Sequence, residues 1–71
     1  MIAVEANYLY NVAPDEAQLA ALAALREIYG VRRLEINAPS RRILIEYDAS
    51  RLRSGVLRSL LRRTGLDLQE A

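Results

Sequence analysis

The chain has 71 residues, so we expect residues 1–71 to form one domain near the lower size limit for independent folding. Because it contains neither cysteine nor histidine, a disulfide, a thiolate metal site and a histidine general base are all excluded. Ten basic against nine acidic side chains give a net charge of +1, which argues against the strong positive field of nucleic-acid-binding proteins. No membrane-spanning apolar run and no secretory signal occur, so we expect no direct membrane insertion and a cytoplasmic location.

The first part of the chain predicts a strand followed by a helix. Residues 2–12 (IAVEANYLYNV) alternate with a period of two, which predicts a half-buried strand whose even-numbered residues face the core. Pro14 suits the first position of a helix, since its missing N–H would be unpaired there. We expect this helix to run to Tyr29 and to end at Gly30 in the left-handed conformation.

The remainder predicts a hairpin, a second helix and a short last strand. Residues 31–37 and 41–48 alternate in the same way and are separated by a tight turn, so they are expected to pair as a hairpin. A second helix is expected to start near Ser54, a suitable N-cap, and to end at Gly65. Residues 66–71 are left for a fourth strand.

The resulting order β-α-β-β-α-β is that of the ferredoxin-like fold, an α+β sandwich. Right-handed crossovers place both helices on one face of a four-stranded antiparallel sheet. The expected spatial strand order is 4-1-3-2, with the first and third strands at the centre.

Within this fold the sequence resembles the heavy-metal-associated (HMA) domain. The resemblance covers residues 4–68 and rests on the joint spacing of short motifs: Gly-Val at 30–31, Tyr-Asp at 47–48 and Thr-Gly at 64–65. It implies a ferredoxin-like fold and a setting in metal transport or metal handling.

The sequence departs from that family at the metal site. The family binds its metal through Met-x-Cys-x-x-Cys after strand one, and the spacing puts the methionine on Val12 and the two cysteines on Pro14 and Ala17. None of these side chains coordinates a soft metal, so no metal and no other cofactor are expected. Asp15 and Glu16 are adjacent on a helix and point apart, so they are expected to complement the helix dipole instead of holding a hard cation.

The leading hypothesis is a non-enzymatic HMA-like domain that acts as a protein-interaction, dimerisation or regulatory module. Residues 19–25 (LAALAAL) contain no polar side chain, and in the family-like orientation Leu19 and Leu22 lie on the exposed flank as a contact patch. In the alternative, the helix rolls so that its leucines face inward and only alanines are exposed.

Two arginines complete the candidate interaction surface. Arg58 and Arg62 are four residues apart and share one face of the second helix. They suit an acidic partner or phosphates, or alternatively form a solvated face paired with Asp67 or Glu70.

The sequence leaves two other classes of function open. Residues 11–22 (NVAPDEAQLAAL) also resemble the amino-acid-binding ACT domains, which would imply a small-molecule sensor with its ligand near residues 14–18 at a dimer interface. A domain that binds single-stranded nucleic acid would stack bases on Tyr8, Tyr10 and Tyr47, but strand parity turns these side chains inward. Catalysis is not expected, because no histidine or lysine is present to activate a hydroxyl nucleophile.

Overall fold

A computed structural model describes all residues, 1–71, and shows the predicted α+β architecture. The elements are β1 (Ala3–Tyr10), α1 (Glu16–Leu25), β2 (Val31–Asn37), β3 (Arg42–Asp48), α2 (Ser54–Arg62) and β4 (Leu68–Glu70). They form one four-stranded antiparallel sheet in the order β2-β3-β1-β4, which is the predicted order 4-1-3-2 counted from the other edge. No helix is long and apolar enough to cross a membrane.

The period of two in β1 correctly identifies the inward face of the strand but overestimates its length. Tyr8 and Tyr10 are buried, and Val4 packs against the core. Ile2 and Val12, which share the same parity, lie outside the strand and are 60% and 71% exposed. Parity orients a side chain only while the backbone remains extended and paired.

The core lies between the sheet and the two helices. Its members are the buried apolar residues Tyr8, Tyr10, Leu22, Leu25, Leu34, Ile43, Ile45, Tyr47, Leu52, Leu57 and Leu61. The strand residues among them have the predicted inward parity, because alternate side chains of a strand point to the same face.

A β-bulge at Arg32 shapes the opposite face of the sheet. The register shifts between Val31 and Arg33, so Arg32 is an extra residue in β2. Arg32 and Arg33 consequently both reach Glu46 on β3, at 3.3 and 4.0 Å. The outer face is therefore a network of ion pairs.

The predicted bounds of α1 need correction at both ends. The helix starts at Glu16 with Asp15 as the N-cap, so Pro14 precedes the cap and does not occupy the first helical position. It ends at Leu25 and not at Tyr29. The N–H groups of Arg26, Glu27 and Ile28 donate to carbonyls three residues earlier, which is the tighter 3₁₀ pattern and not that of an α-helix. Gly30 has the predicted left-handed backbone, with φ +100°.

The later elements differ from prediction in smaller ways. Arg41 has a left-handed φ of +52°, so β3 starts one residue later than expected, at Arg42. Ser54 is the first residue of α2, and Arg53 occupies the N-cap position without a side-chain hydrogen bond. The fourth strand is limited to the three residues Leu68–Glu70.

Candidate functional site

The junction between β1 and α1 occupies the place where HMA domains hold their metal, but its side chains do not suit a transition metal. Val12 and Ala17 are exposed and Pro14 is half-buried. All three lack a donor atom on the side chain. No group of three or more histidine, cysteine, aspartate or glutamate side chains is arranged to hold a metal ion anywhere in the structure. The donor set therefore does not fit the family's soft metals.

The acidic side chain at this junction has a structural partner. The N–H of Gln18 donates to Asp15 Oδ1 at 2.7 Å, and the N–H of Asp15 donates to Gln18 Oε1 at 3.0 Å. This reciprocal arrangement is a capping box, which satisfies two backbone donors that a helix start leaves unpaired. Asp15 thus stabilises the start of α1, as predicted for a first-turn acid, although through a cap and not only through the dipole.

The junction is also tied to distant parts of the chain. Gln18 Nε2 donates to the carbonyl oxygen of Gly65 at 3.1 Å. Arg41 Nη1 donates to the carbonyl oxygen of Asn11 at 3.0 Å. These contacts fix the segment that is a ligand loop in HMA domains against the turn after α2 and the β2–β3 turn.

The outer side of α1 is apolar but has no cover within the chain. Leu22 is fully buried and Leu25 is 5% exposed, so the prediction that Leu22 lies on an exposed flank is wrong. The helix is rolled so that this pair faces the core, which is the alternative raised above, except that Leu19 remains 43% exposed. The other exposed apolar residues of the helix are Ala17, Ala20, Ala23 and Ala24.

Arg58 and Arg62 line a cavity between the end of α2 and β4. Arg58 Nε lies 3.3 Å from Glu70 Oε1, whereas Arg62 forms no ion pair. The cavity measures about 320 Å³ and is lined by both arginines and by Tyr8, but not by Leu19. Because Leu22 is buried, the four residues of the candidate surface do not form one exposed patch.

The three tyrosines proposed for base stacking are inward, as strand parity predicts. Tyr8, Tyr10 and Tyr47 are each less than 10% exposed. On the outer face, Glu5 and Glu46 lie 3.9 and 4.0 Å from the guanidinium of Arg33. The face that would meet nucleic acid thus carries carboxylates and no exposed aromatic ring.

The ACT-like alternative placed a ligand near residues 14–18. The three cavities of the structure are lined by other residues: one beside α2 and β4, and two along β2 near Arg26. That alternative puts its ligand at a dimer interface, so it stays a prediction.

Asp48 is a buried acid whose role the sequence did not indicate. It is 3% exposed and accepts hydrogen bonds from the Ser50 hydroxyl at 2.6 Å, the Ser50 N–H at 3.0 Å and the Ile2 N–H at 3.1 Å. These donors, led by the Ser50 hydroxyl, lower the pKa of Asp48 to about 2. The carboxylate joins the N-terminal segment to the turn after β3.

Comparisons with known proteins support the fold but not a closer relationship. No family model matches the sequence, and no curated protein matches it. Among solved structures, oxidized MerP from Ralstonia metallidurans CH34 superposes with a TM-score of 0.74 at 12% identity, over 96% of each chain. The apo HMA domain of the copper chaperone for superoxide dismutase gives 0.75 at 17% identity, over 97% of this chain and 67% of that one.

A third solved structure gives a similar superposition. The N-terminal domain of PacS from Synechocystis PCC6803 superposes with a TM-score of 0.69 at 14% identity, over 96% of this chain and 97% of that one. At such identities the similarity establishes the fold alone. The chain therefore has the fold of heavy-metal-associated domains and lacks the cysteine pair of their metal motif.

Proposed function

We propose that this chain is a non-enzymatic interaction module that self-associates through the outer face of α1. The observation that carries the proposal is that α1 has no polar side chain from Leu19 to Leu25 yet buries only Leu22 and Leu25. A helix with apolar residues all round is normally enclosed by protein. Here Leu19 and four alanines remain open to solvent, and Glu16 is the one charged residue of the helix.

The second helix provides the comparison within the same chain. α2 buries Leu57 and Leu61, and apart from Gly55 and Val56 its exposed residues are serine and arginine, which is the pattern of a helix with one solvated side. The two helices cover the same sheet, so their difference does not follow from the fold. The apolar outer side of α1 needs a separate explanation, and a protein contact supplies one.

A second copy of the chain is the partner that this face suits best. The face carries alanines, which let two helix backbones approach closely, and it has almost no charge to select an oppositely charged partner. In a two-fold dimer each α1 would pack against its equivalent, since such an interface uses the same patch on both subunits. Small domains without disulfides or metals often gain stability in this way.

The setting we propose is metal handling in the cytoplasm, with the domain acting as a dimerising or regulatory unit that carries no metal. The support is the shared fold with MerP and with the HMA domain of a copper chaperone. The capping box in place of the ligand loop favours a structural role for this segment.

Sedimentation velocity tests the proposal. The wild-type chain should show a concentration-dependent monomer–dimer equilibrium, sampled up to about 1 mM to include weak association. Leu19→Glu should be monomeric throughout, because it places a charge in the centre of the contact. Val56→Glu is the matched control, since Val56 is a similarly exposed apolar residue on α2, at 49% against 43% for Leu19.

Two results would reject self-association through α1. One is a wild-type chain that stays monomeric over the whole range. The other is an equal loss of dimer in both variants, which would mean that added negative charge and not the α1 face controls association.

A further inference from the structure

The cavity between α2 and β4 has the size and lining of a small-molecule site. Its volume is about 320 Å³, at the lower end of the roughly 300–1,000 Å³ typical of ligand pockets. Leu61, Leu66 and Leu68 form its apolar wall. Leu61 is 2% exposed, so at least this part of the wall belongs to the packed core and is fixed in position.

Tyr8 supplies a polar group within this apolar lining. Its side chain belongs to the core and is only 7% exposed, yet its hydroxyl has no hydrogen-bond partner in the chain. Every fully enclosed side-chain nitrogen or oxygen in the structure has a partner, so this hydroxyl is not fully enclosed. Tyr8 lines the cavity together with Arg58 and Glu70, the two charged residues that influence its hydroxyl. Burial, assisted by Glu70, raises the pKa of Tyr8, which keeps the hydroxyl protonated and able to donate.

The charged residues of the cavity leave one positive charge unbalanced. Arg58 and Glu70 pair with each other at 3.3 Å. Arg62 lines the same cavity and forms no ion pair. The guanidinium of Arg62 and the hydroxyl of Tyr8 are therefore both available to donate hydrogen bonds to a ligand in the cavity.

We propose that this cavity binds a small organic monocarboxylate with an apolar body, such as a branched short-chain fatty acid. Arg62 would neutralise the carboxylate, the Tyr8 hydroxyl would donate a hydrogen bond to it, and the three leucines would contact the body. A phosphate dianion fits less well, because only one guanidinium is free, the Glu70 carboxylate also lines the cavity, and the three leucines offer it no hydrogen bond. The site is separate from the outer face of α1 and does not depend on self-association.

Titration of the ¹⁵N-labelled chain, followed by NMR, tests the ligand class. The probe is 4-methylpentanoate, which should shift the amide signals of residues 61–70 in a saturable manner. Its alcohol, 4-methylpentanol, has the same body without the charge and should bind about tenfold more weakly, since charge-assisted hydrogen bonds are the strong ones. Leucine has the same carbon skeleton and carboxylate with an added ammonium group, and inorganic phosphate is an anion without an apolar part. Neither should bind more tightly than 4-methylpentanoate.

Each arm of this titration has a result that overturns the proposal. These results are no saturable shift with 4-methylpentanoate, equal affinity for the alcohol, or tighter binding of leucine or phosphate than of the monocarboxylate. Shifts confined to residues outside the cavity would also reject the site.

Variants then test the assigned donors. Tyr8→Phe keeps the core ring and removes only the hydroxyl, and Arg62→Gln removes the free charge; each should weaken 4-methylpentanoate by about fivefold or more. Arg63→Gln is the control, because Arg63 is exposed beside Arg62 but does not line the cavity. A dispersed wild-type-like spectrum confirms folding of each variant. Unchanged affinity in both Tyr8→Phe and Arg62→Gln would contradict the proposed contacts.

Discussion

Gln18 Nε2 donates a hydrogen bond to the carbonyl oxygen of Gly65, 3.1 Å away, across 47 residues of sequence. The same side chain accepts a hydrogen bond from the N–H of Asp15 through its carbonyl oxygen. One amide group thus completes the cap of α1 and joins it to the turn that follows α2. The segment that corresponds to the metal-binding loop of HMA domains is therefore stabilised by hydrogen bonds of the Gln18 amide and the Asp15 carboxylate.

Removal of this cap should destabilise the domain. Asp15→Ala should lower the free energy of unfolding by about 1 kcal/mol, the usual cost of losing a side-chain N-cap. Gln18→Glu should retain the bond to the Asp15 N–H and lose the one to Gly65, because a carboxylate cannot donate. Urea unfolding of the two variants therefore separates the cap from the tether. Equal stability of Asp15→Ala and the wild type would show that the cap contributes nothing.

The two leucines of the predicted contact patch should behave very differently when truncated. Leu22 is fully buried, so Leu22→Ala should cost about 2–5 kcal/mol through lost burial and a new cavity. Leu19 is 43% exposed, and Leu19→Ala should change stability by no more than about 0.5 kcal/mol. Urea unfolding at low protein concentration, where association does not contribute, provides the measurement. Similar costs at both positions would contradict the observed roll of α1.

The orientation of α1 is the part of the fold that sequence could not predict. The strands carry a period of two, so the inward positions of Tyr8, Ile43 and Ile45 follow from alternation. Residues 19–25 of α1 contain no polar side chain, and no periodicity distinguishes Leu22 from Leu19. Only the tertiary packing against the sheet decides which of them is enclosed.

Sequence patterns reveal neither the cavity nor the buried acid Asp48, for a related reason. Tyr8 and Arg62 are 54 positions apart in the sequence, and only the packing of α2 beside β4 brings them to one cavity. Asp48 is the last residue of β3, and alternation along the strand predicts that its side chain points away from the core. The N-terminal segment nevertheless covers it, with the Ile2 N–H donating to its carboxylate. A local pattern does not report contacts that depend on how distant elements meet. The lack of the family's cysteine metal ligands, by contrast, can be read from the sequence alone, because the chain contains no cysteine.

The two glycines at 30 and 55 should respond oppositely to alanine. Gly30 has a φ of +100°, and an added Cβ would lie 2.8 Å from Leu52 Cβ, so Gly30→Ala should cost about 1–3 kcal/mol. Gly55 lies in α2 with nothing within 4 Å of an added Cβ, so Gly55→Ala should stabilise the domain by about 0.5 kcal/mol. Thermal and urea unfolding both measure the difference. Destabilisation by Gly55→Ala would show that its Cβ meets an obstacle absent from the structure.

Asp48 should make the stability depend on pH in the acid range. Its pKa is lowered from 3.8 to about 2 on folding, so between these values the unfolded chain binds more protons than the folded one. The contribution of Asp48 is therefore complete above about pH 4 and is lost as the pH falls toward 2. Ser50→Ala removes the strongest donor and should raise this pKa, as followed by NMR of the carboxyl carbon. An unchanged pKa in Ser50→Ala would contradict the cause assigned here.

Restoring two cysteines should restore metal binding at the β1–α1 junction. Pro14→Cys combined with Ala17→Cys puts thiols at the two positions that correspond to the family's ligands, next to a helix N-terminus that favours the thiolate. The capping box uses neither residue, so the start of α1 should persist. We expect one Cu(I) per chain, measured by competition with a chromogenic chelator.

The matched control carries serine at the same two positions and should bind no Cu(I), because a hydroxyl is a poor ligand for this soft ion. Binding by the cysteine variant alone would mean that the backbone retains the geometry of a metal loop and that only the donor atoms have been lost. Absence of binding in both would mean that residues 14 and 17 no longer converge. In that case the capped helix start has replaced the ligand loop in geometry as well as in chemistry.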